Sequence, residues 1–146
     1  MKRTILLLAI LLGSININSQ TTDIKDGYQV FKYPNGAVSS EGMYKNGKPD
    51  GFWKSYYVTG VKRSEGRYTN NMLDSIWVFY DQAADTTEKI SYLYGKKNGY
   101  YIKFKKDPFA GLYVWSKELY AGNKREGTAI LYYQDGKVQQ TVSYNG

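Results

Sequence analysis

Two residue series recur along the chain with a common period and a common exception. Gly27, Gly51 and Gly99 lie 24 or 48 residues apart, Ser75 takes the intermediate place, and Gly127 follows 28 residues after Gly99. Tyr44, Tyr68, Tyr92, Tyr120 and Tyr144 are spaced by 24, 24, 28 and 24. Two series that share the same irregularity mark a tandem array. An array constrains the fold strongly, because each unit must be one supersecondary element that buries its apolar surface against its neighbours. The units are 27–50, 51–74, 75–98, 99–126 and 127–146. The four extra residues of unit four fall near Lys106–Gly111, where Pro108 and Gly111 suit a lengthened loop.

Within a unit the pattern is that of a β-hairpin. Unit two runs Gly51-Phe-Trp-Lys-Ser-Tyr-Tyr57, turns at Val58–Gly60, and returns from Val61 to Tyr68. Unit one turns at Tyr33-Pro-Asn-Gly36 and unit five at Gln134-Asp-Gly136, and Asn-Gly and Asp-Gly supply the positive φ angles of tight hairpin turns. The chain turns again between units, as at Lys45-Asn-Gly-Lys-Pro-Asp50. Twelve residues per strand and turn predict strands of about six residues. The expected fold is all-β: an open antiparallel meander of about ten strands built from five stacked hairpins. Its two unpaired strands, near Tyr28–Tyr33 and Val138–Tyr144, invite strand addition or self-association.

Three short patterns carry a family resemblance: Gly51-x-Trp53-x-x-Tyr56, Glu41-Gly42-x-Tyr44 and Glu65-Gly66-x-Tyr68. With them the chain resembles the bacterial MORN-repeat variant, the repeat of proteins labelled YwqK-family antitoxins. Units one and two match best. Unit three keeps Trp77, Tyr80 and Tyr92 without the Glu-Gly pair, and units four and five keep mainly Tyr120 and Tyr144. The resemblance implies an elongated sheet of MORN-like hairpins with a binding or scaffolding role and no catalytic residues.

Strand side chains alternate between the two faces of a sheet. One face therefore reads Phe52, Lys54, Tyr56, then Ile76, Val78, Tyr80, then Tyr100, Ile102, Phe104, and the other carries Trp53, Trp77 and Tyr101 at one level. Rings from neighbouring strands can stack into stripes and replace a thick core by lateral packing. The same stripe could bind a ligand. Trp53, Trp77, Tyr101, Tyr56, Tyr80 and Phe104 are the candidate binding residues.

The absence of Cys and His removes disulfides, thiol nucleophiles, the commonest general base and the commonest transition-metal ligand. Asp26, Asp50, Asp74, Asn98 and Glu126 each precede the residue that opens a unit. Corresponding positions two strands apart are separated by roughly 9.5 Å, too far for two carboxylates to share a metal ion. Short acceptors there suit the capping of turn N–H groups. No enzyme, metal or cofactor is expected. The formal net charge is +7, and Lys96, Lys97, Lys103, Lys105 and Lys106 concentrate within eleven residues. They read as a solvated strand face or as a basic patch for an anionic lipid or acidic glycan. Nucleic acid is not an expected partner.

The chain begins with Lys2 and Arg3 and an apolar run from Ile5 to Leu12, broken by Gly13 and Ser14. A basic start before a short apolar core is the pattern of a secretory signal. The expected division is a signal peptide over 1–19, a short linker over 20–26 and the repeat domain over 27–146, with an exported product in the periplasm, the cell envelope or the medium. Three function classes follow: an exported scaffold that binds a protein, a glycan- or envelope-binding module, and an antitoxin or immunity protein. The first is favoured.

Overall fold

The structure, a computed structural model, describes residues 25–145. The leader assigned to 1–19 and most of the 20–26 linker lie outside these residues. Ten strands follow one another: β1 Gly27–Lys32, β2 Val38–Lys45, β3 Lys48–Tyr56, β4 Lys62–Thr69, β5 Met72–Tyr80, β6 Thr86–Leu93, β7 Lys96–Asp107, β8 Gly111–Ala121, β9 Lys124–Tyr132 and β10 Val138–Tyr144. They form one ten-stranded sheet in sequence order, every neighbouring pair antiparallel. β1 and β10 are its two edges.

The strands run from six to twelve residues, longer than the expected six, because the turns between units consume only two residues. Asn46-Gly47, Asn70-Asn71, Tyr94-Gly95 and Gly122-Asn123 have positive φ at both positions, the geometry whose twist matches that of the flanking strands. The turns within units are longer. Tyr33, Tyr57 and Tyr133 each donate from the backbone N–H to the carbonyl four residues on, and the glycine three residues after each tyrosine donates back to it.

The glycine series has a backbone cause. Gly42 pairs with Trp53 and Tyr44 pairs with Pro49, so Met43 alone faces Asp50, Gly51 and Phe52. The same irregularity recurs at Ser75, Gly99 and Gly127. φ at the bulged residue is 104° in Gly51, 58° in Ser75, 103° in Gly99 and 65° in Gly127. A left-handed residue re-aims the strand once per repeat, and glycine takes that conformation without steric cost.

The four extra residues of unit four lengthen strands rather than a loop. β7 and β8 are the longest elements, and only Pro108–Ala110 separates them. Their ladder continues to Asp107 opposite Gly111. β8 pairs with β9 only as far as Ser116 opposite Leu131. The β7–β8 hairpin therefore overhangs its neighbours, because extra residues within a hairpin can continue the ladder in register instead of looping out.

Candidate functional site

The two faces of the sheet do different work. On one, cross-strand pairing aligns Gly42, Trp53 and Gly66, and likewise Trp77, Ile90, Tyr101 and Glu118. Trp53, Trp77 and Tyr101 are 8%, 5% and 9% exposed. Their cover is aromatic. Tyr44 and Tyr68 meet the Trp53 ring at 5.5 and 6.0 Å, Tyr68 meets Trp77 at 5.0 Å, and Tyr120 meets Tyr101 at 6.1 Å. The tyrosine series is thus the second half of the packing row. Each indole N–H donates to a main-chain carbonyl, Trp53 to Met43 and Trp77 to Arg67, both at 3.0 Å. These rings are held by their neighbours and leave little surface for a ligand.

On the opposite face three successive positions, one repeat apart, carry a tyrosine–carboxylate pair or its substitute. Tyr56 Oη donates to Glu41 at 2.6 Å and Tyr80 Oη to Glu65 at 2.5 Å. Burial first, then the neighbouring carboxylate, pushes both phenols up from 10.0 to about 12. The hydrogen bond from Tyr56 holds Glu41 below the usual carboxylate range. At Glu65 burial acts upward, but hydrogen bonds from Tyr80 and Lys62 outweigh it and the net displacement is downward. One repeat later the ring is Phe104, which has no hydroxyl, and the carboxylate is replaced by Lys89, whose Nζ lies 5.7 Å from the Phe104 centroid. A cation–π contact replaces a hydrogen bond at the same place. The six candidate aromatic residues thus divide three and three between the faces.

Beside that ladder runs a row missing from the candidate residues. Tyr28 pairs with Met43, Phe52 with Arg67, Ile76 with Ser91 and Tyr100 with Leu119. Phe52, Ile76 and Tyr100 are 51%, 59% and 49% exposed, and Tyr28 and Met43 are similarly open. The readable signal was position: each of Phe52, Ile76 and Tyr100 immediately precedes Trp53, Trp77 or Tyr101 and therefore faces the other way.

The five lysines are spread along the length of β7. Lys97 Nζ lies 4.5 Å from the Tyr101 centroid and Lys103 Nζ 4.9 Å from it, both on the tryptophan face. Lys105 Nζ sits 3.7 Å from the Trp115 centroid, Lys106 forms an ion pair with Asp85, and exposed Lys96 pairs with Leu93 next to the turn. The acidic row caps turns in part. Asp26 accepts from Gly47 N at 3.2 Å, Asp74 from the Thr69 hydroxyl at 3.0 Å, and Asn98 from Gly122 N at 3.4 Å.

The overhang of β7–β8 creates a notch against the β9–β10 turn. Two cavities of about 530 Å³ share Tyr113, Tyr132, Gln134 and Asp135, one reaching Trp115 and Lys105 and the other Lys117.

The MORN repeat variant family matches the chain at residues 25–46 and 125–145. These are the outermost hairpins, and the match takes in unit five, where the sequence offered little beyond Tyr144. Compared with curated proteins, the chain matches none. The first and last hairpins are thus similar to the MORN repeat variant, and the whole is one sheet of stacked β-hairpins, the architecture of a repeat scaffold.

Proposed function

We propose that the chain is an exported, non-catalytic repeat scaffold that binds a protein partner through the face opposite the tryptophans. The observation that carries this reading is the exposed row Tyr28, Met43, Phe52, Ile76 and Tyr100. Exposed apolar side chains gathered on one face mark interaction sites, and aromatic anchors dominate binding energy. Here Arg67 and Ser91 stand between Phe52, Ile76 and Tyr100 and add polar contacts to the row. Tyr56 and Tyr80 border that row with their hydroxyls already engaged by Glu41 and Glu65, so their rings are presented in fixed positions. The basic start and short apolar run at the N-terminus support export. An antitoxin role would be supported by a toxin gene next to this one on the chromosome.

The test is capture from cell-envelope extract by the immobilised protein, with Phe52→Asp and Ile76→Asp variants alongside. A defined protein should be retained saturably by the wild type and lost by both variants. Equal retention by all three would contradict the reading. The notch favours a second reading, glycan binding, because its rings stand beside Gln134, Asp135 and two lysines. A glycan ligand would be lost on Tyr113→Ala or Tyr133→Ala and kept on Phe52→Asp.

A further inference from the structure

Natural sheets commonly blunt their edges with lysine, other charges or proline. Here the last strand, Val-Gln-Gln-Thr-Val-Ser-Tyr, has no charged residue and no proline, and the first, Gly-Tyr-Gln-Val-Phe-Lys, has one lysine at its end. By contrast, the interior strands β7 and β4 carry six and four charged residues. The outer strands lack the features that prevent pairing.

The two ends are also in phase. Unit five repeats unit one at an offset of 100: Gly127 with Gly27, Tyr133 with Tyr33, Gly136 with Gly36 and Tyr144 with Tyr44. Both ends match the same family pattern. A unit that follows unit five in space would therefore meet the surface that unit two meets on unit one. We propose that the protein assembles end to end, β10 of one copy pairing antiparallel with β1 of the next.

The chain itself supplies the register. β2 meets β3 with Ser40 opposite Ser55, Glu41 opposite Lys54 and Gly42 opposite Trp53. Carried across the joint, Gln140 faces Phe31, Thr141 faces Val30 and Val142 faces Gln29. None of these pairs sets like charges against each other. A turn contact completes the match. Tyr33 Oη donates to the Tyr56 carbonyl at 2.7 Å and Tyr57 Oη to the Tyr80 carbonyl at 2.8 Å, each reaching 23 residues on. Tyr133 occupies the same turn position, is 53% exposed, and its hydroxyl has no hydrogen-bond partner among the described residues. In the assembly its acceptor is the Lys32 carbonyl of the next copy. The contact joins two different surfaces, so it does not close as a two-fold dimer and adds copies head to tail.

Proline at an outward-facing N–H blocks an edge without breaking the ladder inside it. Tyr33 N donates to Ala37 O and Tyr133 N to Lys137 O. Alternation from those bonds sends the N–H groups of Val30 and Thr141 away from the sheet. Sedimentation velocity should show the wild-type mass rising with concentration through a series of oligomers. Val30→Pro and Thr141→Pro should each remain monomeric with unchanged β circular dichroism. Mixed together, they should form dimers and nothing larger, because each retains one open edge and the two edges differ. Should a proline variant lose its β spectrum, Tyr28→Pro or Ser143→Pro, which block the same edges, takes its place. A wild type that stays monomeric up to near-millimolar concentration would overturn the proposal. So would either variant dimerising alone, which would mean like edges pair with like.

Discussion

Gly66 lacks a side chain because Trp77 occupies the space: a Cβ built there would lie 2.2 Å from Trp77 Cδ2, and one on Gly42 would lie 2.5 Å from Trp53. The Glu-Gly pair of the sequence therefore combines two duties, a carboxylate for a tyrosine on one face and a gap for an indole on the other. Where the ring shrinks the gap fills. Ile90 stands opposite Tyr101, and Glu118, held by Arg125 Nε at 2.8 Å, lies beside Ala129. Gly66→Ala should cost about 1–3 kcal/mol, the usual penalty of overpacking, read from the urea midpoint. Combining it with Trp77→Ala should cost clearly less than the two losses added, since the clash needs both groups. Additive losses would contradict the assignment. The tyrosine pairs make a pH prediction. Tyr56 and Tyr80 hold their protons to about pH 12 in the fold and to about 10.0 when unfolded. Between those values the unfolded chain binds fewer protons, so their contribution is complete below about pH 10 and is lost as pH rises toward 12. Glu41 and Glu65 are displaced downward, so their contribution is lost as pH falls through the ordinary carboxylate range. The Tyr56→Phe/Tyr80→Phe double variant should show a shallower fall in melting temperature above pH 10 than the wild type. An identical fall in both would contradict the pairing.

The hairpin is the element in which complementarity is matched, and the match differs along the array. Deleting 51–74 brings Gly42 against Trp77, another glycine–indole pair, whereas deleting 75–98 brings Gly66 against Tyr101 and Glu65 against Phe104. The first deletion should leave a folded, shorter sheet with a higher melting temperature than the second. Equal melting temperatures would show that pairing between units is not side-chain specific. Removing only twelve residues should be worse than either, since it reverses the direction of every later strand. Much of this was legible in the sequence, because the glycine and tyrosine spacings report bulges and packing rings whose positions the backbone repeats. Trp53 and Trp77 were placed on the correct level, opposite Phe52 and Ile76, by alternation alone. Two features were not legible. Spacing showed that unit four had four extra residues, but not that Phe104–Asp107 and Gly111–Trp115 would continue the ladder beyond their neighbours. The sequence also gave no measure of ring burial, which depends on the tyrosines of adjacent strands closing over each indole. Sequence alternation alone consequently does not distinguish the exposed Phe52, Ile76 and Tyr100 from the buried rings beside them.

Among the described residues the molecule is a single layer in which each strand is hydrogen-bonded only to the next in order. A side chain reaches further where Phe31 of β1 stacks on Trp53 of β3, so stability should spread mainly through nearest neighbours. A one-layer sheet must still bury aromatic surface, and it does so laterally on the tryptophan face, where large rings and gaps alternate across strands. The opposite face keeps its apolar row open between charged and hydroxyl-bearing side chains. This division of labour is the central claim. It is sharpest at Ile76 and Trp77, adjacent in the chain, 59% and 5% exposed, and pointing to opposite sides. The most direct test is therefore the unfolding free energy of Ile76→Asp and Trp77→Ala, measured side by side. The account predicts that Ile76→Asp stays within about 0.5 kcal/mol of the wild type, as surface substitutions do. Trp77→Ala should lose about 3–5 kcal/mol, as buried aromatic residues do. Comparable losses from both, or a larger loss from Ile76→Asp, would contradict it.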